Sequence, residues 1–211
     1  MSKVELVKYC IDNAEKRISK LTPDALMIPA LSSLNIRHLM NNLGGISTNY
    51  LEHGVHRGGL FCSTIFKNKN LKNATAVDSF ASDRLSQEGA MEDFVKNVKS
   101  CYPLPYNDVL IHNDSFDFDI RLVPEGVDLY LFDADHSEDS QCRALTHFVS
   151  RMADECIFCV DDYDWKEVKE GTERGIKETG VEILFEKIFK GNDHDNEGWW
   201  NGYAVFVLKK K

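Results

Sequence analysis

"LFDADHSEDS", residues 131–140, decides how this chain is read. Leu129, Tyr130, Leu131 and Phe132 form an apolar run that stops on Asp133, and Asp135, His136, Glu138 and Asp139 follow at once. A short apolar run rich in residues that suit a pleated surface reads as a buried strand, here over 127–134. The pattern recurs at "CIFCVDDYDW", residues 156–165, where Ile157 to Val160 run into Asp161 and Asp162. Two buried strands that both end on bare carboxylates point to a fold in which strand ends share one edge.

Working outward, "NYLEHG" (49–54), "ATAVDSF" (74–80), "DVLIHND" (108–114) and "ECIFCVDD" (155–162) read as further strands. "GGLFCSTIFKN" (58–68) reads as a helix opened by glycines, and helices are expected around 87–100, 137–152 and 165–178. Strands that alternate with helices imply a parallel sheet covered on both faces. "VEILFEKIF" (181–189) and "GYAVFVLKK" (202–210) have no helix between them, as in an antiparallel pair. Ahead of all this, residues 2–20 and 24–43 look helical. Val4, Val7, Ile11, Ala14 and Ile18 fall at helical spacing, Thr22 precedes Pro23 as an N-cap, and Pro29 splits the second segment. The expected division is an N-terminal helical extension over 1–45, acting as a lid or a dimer contact, and an α/β domain over 46–211.

Length and composition narrow the function. The 211 residues suit one domain with a sizeable core. A net charge of −9 argues against a nucleic-acid partner, since phosphate binding needs a basic face. The start "MSKVELVKYC" has no apolar signal core and no apolar run approaches the length of a membrane span, so a soluble, cytoplasmic protein with no membrane partner is expected. Of the six cysteines, Cys156 and Cys159 are spaced CxxC, but inside a strand and without a second pair. They read as reduced core residues.

In an open parallel sheet, ligands bind outside the carboxyl ends of the strands, where strand order reverses. Glu52, Asp78, Asp114, Asp133, Asp161 and Asp162 all fall at or near such ends. Gly54, Gly58 and Gly59 lack the GxGxxG spacing, and there is no GK[ST]. What remains is a glycine-rich turn headed by Glu52, with Asp78 placed to hold a ribose diol. That suits an adenosine-type ligand carrying positive charge and no phosphate.

On these residues the chain resembles the class I S-adenosylmethionine-dependent methyltransferases over about residues 35–210. "YLEHGVHRGGLF" is similar to their first motif, with Val55, His56 and Arg57 as a departure before the glycine pair. "AVDSF" is similar to the second, and "IHNDSFDF" to the adenine-contacting segment. The two acidic strand ends resemble those of the metal-dependent small-molecule and sugar O-methyltransferases, and "GYAVFVLKK" matches the family's reversed last strand. The resemblance implies a Rossmann-like, doubly wound, seven-stranded sheet, mainly parallel with an antiparallel last strand. It also implies S-adenosylmethionine as cofactor, bound by Glu52, Gly54, Gly58, Asp78, Ser79, Asp114, Ser115 and Asp133.

Neighbouring strands lie ~4.8 Å apart, so Asp133 and the Asp161–Asp162 pair are able to converge. Carboxylates that close repel one another, a cost that a hard divalent cation removes. An all-oxygen set favours Mg²⁺, Mn²⁺ or Ca²⁺ over zinc. In the resembled subgroup the corresponding carboxylates hold Mg²⁺, which positions the acceptor's hydroxyl. Asp135 is the first choice of general base and His136 the second; His136 would otherwise cap the helix at 137–152. Asp193, His194, Trp199, Trp200 and Asn201 are candidates for an acceptor pocket, or for a loop packed on the core. Arg37 and His38 line the site or simply belong to an amphipathic helix. The expected activity is methyl transfer to a hydroxyl of a sugar or glycan. The alternatives are a catechol-type acceptor or a non-catalytic cofactor-binding module.

Overall fold

The computed structural model describes residues 1–81, 88–101, 107–112 (backbone only), 116–192 and 195–211. Its centre is a seven-stranded sheet. The strands are β1 (Asn49–His53), β2 (Asn73–Asp78), β3 (Asn107–His112), β4 (Val127–Phe132), β5 (Met152–Asp161), β6 (Glu182–Phe189) and β7 (Tyr203–Lys209). They lie in the order β3-β2-β1-β4-β5-β7-β6. β1 pairs in parallel with β2 and β4, and β4 pairs in parallel with β5. β7 enters antiparallel between β5 and β6. The chain starts at β1, moves outward to β3, and returns to the other side of β1 with β4. The strand order therefore reverses between β1 and β4, and that crevice is where an open sheet of this kind takes ligands.

Side-chain alternation explains why these runs are strands with helices on both faces. Tyr50, Ala76, Leu129, Leu131, Ile157, Cys159, Val205 and Val207 point into one apolar cluster. Leu51, Val77, Tyr130, Phe132, Phe158, Val160, Phe206 and Leu208 point into the other. The first face is covered by α1 (Lys3–Glu15), α3 (Leu34–Gly44), α4 (Gly59–Ile65) and α5 (Ala90–Cys101), the second by α6 (Glu138–Phe148) and α7 (Lys166–Thr179). Val7, Ile11, Leu39 and Leu43 share the first cluster with the sheet residues, so the N-terminal helices form part of the first helical layer.

Local chemistry sets the helix ends. Ser2 and Glu5 form a reciprocal capping box at the start of α1. Thr22 caps the four-residue helix α2 (Pro23–Leu26), which opens on Pro23. The segment expected to be helical over 24–43 is broken between Leu26 and Leu34, around Pro29, which offers no N–H to continue a helix. The broken piece is seated on α4: a Cβ at Gly59 would lie 2.1 Å from the Pro29 carbonyl oxygen.

A similar close approach fixes the crevice itself. Gly54, just past β1, has φ +89°, and a Cβ there would stand 1.8 Å from the carbonyl oxygen of Asp133, just past β4. Gly54→Ala forces these strand ends apart and strains the backbone. It is expected to lower stability by roughly 3 kcal/mol, read as a shift in the urea midpoint.

Candidate functional site

Phe132 on β4 is paired with Val160 on β5, so the next residues, Asp133 and Asp161, emerge side by side. Their carboxyls are neighbours at the end of the two strands. Asp161 is only 6% exposed, and its Oδ1 has no partner. Burial, reinforced by the neighbouring charges of Asp161 and Asp162, holds the Asp133 carboxyl well above the usual carboxylate range. Burial and then the charge of Asp162 do the same to Asp161.

Asp162 turns out of the strand with φ +53°, a left-handed conformation that costs a non-glycine residue energy and is retained where the surroundings impose it. What imposes it is the end of the loop before β7. Asn201 Nδ2 donates to Asp162 Oδ1 at 2.7 Å, Tyr163 N donates to Gly202 O at 3.2 Å, and Asp164 N donates to Asn201 O at 3.0 Å. Asp162 Oδ2 lies 2.9 Å from Nε2 of His136. The His136 ring meets Trp165 edge-on, with centroids 4.7 Å apart. One donor atom each from Asp133, His136 and Asp162 fall within 4.8 Å of one another. Three oxygen and nitrogen donors, a nearby buried carboxylate oxygen without a partner, and mutually repelling acids are a donor set that fits a divalent cation.

At the β1 and β2 ends the arrangement is tighter than the sequence suggested. Asp78 Oδ2 accepts from the backbone N–H groups of Val55 and His56, both at 2.8 Å, and Oδ1 accepts from Phe80 N at 2.7 Å. Asp78 thus holds the glycine turn in place, and any hydroxyl it receives shares a carboxylate already bonded to the backbone. Ser79 is half-buried beside it, and its Oγ accepts from Ala81 N at 3.3 Å. Gly58 has φ +81°, and a Cβ there would meet Phe94 Cδ2 at 2.9 Å. Asp114 and Ser115 lie outside the described residues, as do Asp193 and His194.

Glu52 is buried, with the Tyr50 hydroxyl donating to its carboxylate. Burial, with the Asp78 and Asp161 charges adding to it, raises its pKa to about 8. A carboxyl whose folded pKa exceeds its unfolded value stabilises the fold fully below the unfolded pKa, and that contribution fades as pH rises to about 8. Thermal melts of the ligand-free chain should therefore show a fall in Tm between about pH 5 and pH 8. In Glu52→Gln that fall should be shallower; an unchanged slope would place the titration elsewhere.

The remaining expected site residues divide. Asp135 is exposed on the loop after β4; its Oδ1 accepts from Ser137 N at 2.9 Å and from the Ser137 hydroxyl. Trp199 stacks on Phe189 at 3.7 Å and packs against the core, so it takes the structural alternative, while Trp200 is half-buried. Arg37 is buried and donates to Ser63 Oγ and to the carbonyls of Leu26 and Ala25, which makes it a clamp between helices. His38 pairs with Ser19. All six cysteines are free and buried. Sequence reasoning grouped Asn201 with the pocket without linking it to Asp162. The available signal was its place before Gly202, where Asn tolerates the left-handed turn that it adopts at φ +54°.

A doubly wound sheet with a reversed strand between β5 and β6, and carboxylates gathered at its switch point, defines a methyltransferase-type α/β domain. Residues 44–163 match the family described as "Methyltransferase domain", and the chain belongs to that family. No curated protein matches the sequence. Among solved structures, a Podospora anserina methyltransferase bound to S-adenosylhomocysteine superposes with a TM-score of 0.61 at 15% identity, covering 100% of this chain and 98% of that one. A Bacillus cereus O-methyltransferase in complex with S-adenosylhomocysteine gives 0.57 at 12%, covering 99% and 93%. A Thermotoga maritima spermidine synthase gives 0.51 at 16%, covering 76% and 53%. At these identities the likeness is one of fold. Among the described residues no helix is long and apolar enough to cross a membrane.

Proposed function

We propose that this chain transfers a methyl group from S-adenosylmethionine to a hydroxyl of a sugar or glycan with the help of a divalent cation. The observation that carries this reading is the convergence of Asp133, Asp161 and Asp162 at two adjacent strand ends, beside the glycine turn. A domain that only bound the cofactor would have no use for that many repelling carboxylates.

The cofactor supplies an electrophilic methyl group. Glu52, Gly54, Gly58, Asp78 and Ser79 line the edge that would receive it. The buried Glu52 carboxyl ionises at lower pH once a cationic ligand lies near it. Asp133 and Asp162 would hold the cation, which lowers the pKa of a nearby hydroxyl and fixes its direction. Asp135, exposed two residues beyond Asp133, takes the acceptor's proton. Methyl transfer is an in-line displacement, so holding acceptor and donor in line supplies much of the acceleration. The segment 191–202, rich in Asn, Asp and Gly with Trp200 half-buried, suits a polyhydroxyl acceptor better than a planar phenol between apolar walls.

The test is calorimetric titration with S-adenosylmethionine, followed by mass spectrometry of a panel of nucleotide sugars, glycans and catechols after incubation with cofactor and Mg²⁺ or Mn²⁺. One added methyl on a sugar, abolished by EDTA, is the expected result. Methylation of catechols alone moves the assignment to a catechol-type enzyme. Cofactor binding without turnover of any hydroxyl acceptor moves it to a binding module.

A further inference from the structure

We propose that His136 is a nitrogen ligand of the cation seat, which selects a Mn²⁺-type transition ion over Mg²⁺ or Ca²⁺. The inference rests on the cation reading of the acidic cluster and names which ion that cluster takes.

The geometry comes first. Adjacent ligands on an octahedral ion with bonds of about 2.1 Å stand about 3 Å apart. His136 Nε2 and Asp162 Oδ2 are 2.9 Å apart, and an Asp133 oxygen completes a set within 4.8 Å. The pair is not a simple hydrogen bond. His136 Nε2 is buried and makes no contact of hydrogen-bond geometry, and its approach to the Asp162 oxygen is an ion pair only when the ring is protonated. On the neighbouring strand, Asp161 is more than nine-tenths buried with Oδ1 unpartnered. The buried His136 nitrogen and the buried Asp161 Oδ1 are thus both left without a hydrogen bond, each at a cost in free energy if nothing binds it.

Both side chains are braced. Asn201 fixes Oδ1 of Asp162 at 2.7 Å, leaving Oδ2 on the His136 side. Trp165 holds the imidazole edge-on. Such outer contacts are what orient ligands around a metal. His136 is not needed as a helix cap, because Ser137 caps α6 with its own hydroxyl. A set of two or three carboxylates alone would favour hard ions. One imidazole shifts it toward the borderline transition metals, for which nitrogen is a good ligand. His136 as a ligand also leaves Asp135 as the base.

The probe is Mn²⁺, followed by electron paramagnetic resonance on the full chain with S-adenosylmethionine present. The expected result is that Mn²⁺ binds roughly tenfold or more tightly than Mg²⁺ in competition, and that the bound ion shows a ¹⁴N coupling. His136→Gln should abolish the coupling and most of the preference. His136 lies on a partly exposed loop, and an unchanged thermal melt verifies that the variant folds; His136→Asn serves as a second variant. If Mn²⁺ binds, depends on Asp133 and shows no nitrogen coupling, His136 is not a ligand and the carboxylate seat stands. If the wild type binds neither ion at millimolar concentration, the cation reading and this inference fall together.

Discussion

Asp135→Asn is expected to lower the single-turnover rate of methyl transfer by ~10²–10⁴-fold, the usual loss on removing a general base, with Mn²⁺ affinity unchanged. Asp135 lies where the chain has left β4, and its carboxylate is exposed beside the acidic cluster. Its Oδ1 accepts from Ser137 N and the Ser137 hydroxyl, which orients the group at the start of α6. An asparagine keeps an oxygen for those bonds, so the loop survives, but its amide accepts no proton at neutral pH. A variant that turns over normally would remove Asp135 from the chemistry.

Asp133→Asn should damage activity by a different route. Its carboxylate is one of the three donors that come together and is the one fixed by the sheet, since Asp133 N donates to His53 O at 2.8 Å. The asparagine keeps an oxygen but loses the charge that offsets a cation. Mn²⁺ affinity should fall by more than the ~10–100-fold typical of outer-shell changes, and turnover at limiting metal should fall with it. S-adenosylmethionine affinity should fall far less than Mn²⁺ affinity, because most of the expected cofactor contacts, Glu52, Asp78 and the glycine turn, lie along β1 and β2. Excess Mn²⁺ should partly restore Asp133→Asn and leave Asp135→Asn as it was. If both respond equally, or if EDTA leaves the wild-type rate intact, the acidic cluster has another purpose.

Much of this was legible because apolar runs end on acids. The runs at 129–132 and 157–160 announce strands by composition, and the residue after each is fixed at the sheet's carboxyl edge whatever the loop does. The reversed last strand was legible from the missing helix between 189 and 202. Other features depend on distances that no local pattern encodes. His136 reads equally well as a helix cap until Ser137 is seen to fill that role. Asn201 finds Asp162 only because β7 runs antiparallel to β5 with Tyr203 opposite Asp161. Asp78 could be placed at the end of β2, but its bonds to Val55 and His56 follow from the backbone of the glycine turn folding over that strand end, with His56 at φ +47°.

The segment broken at Pro29 is also tied to the loop that ends at Asn201. Leu34 N donates to Asn196 O at 2.8 Å, Ser33 Oγ donates to Gly198 O at 2.5 Å, and Arg17 forms an ion pair with Glu197. Residues distant in sequence therefore behave as a single cassette. Transplanting residues 190–202 alone into a homologous scaffold would leave the Asn196 and Gly198 carbonyls without their donors and Asn201 poorly aimed at its aspartate. Shuffling libraries built to alter acceptor choice should exchange residues 17–34 and 190–202 together. Chimeras carrying only one of the two should express as folded protein less often than those carrying both.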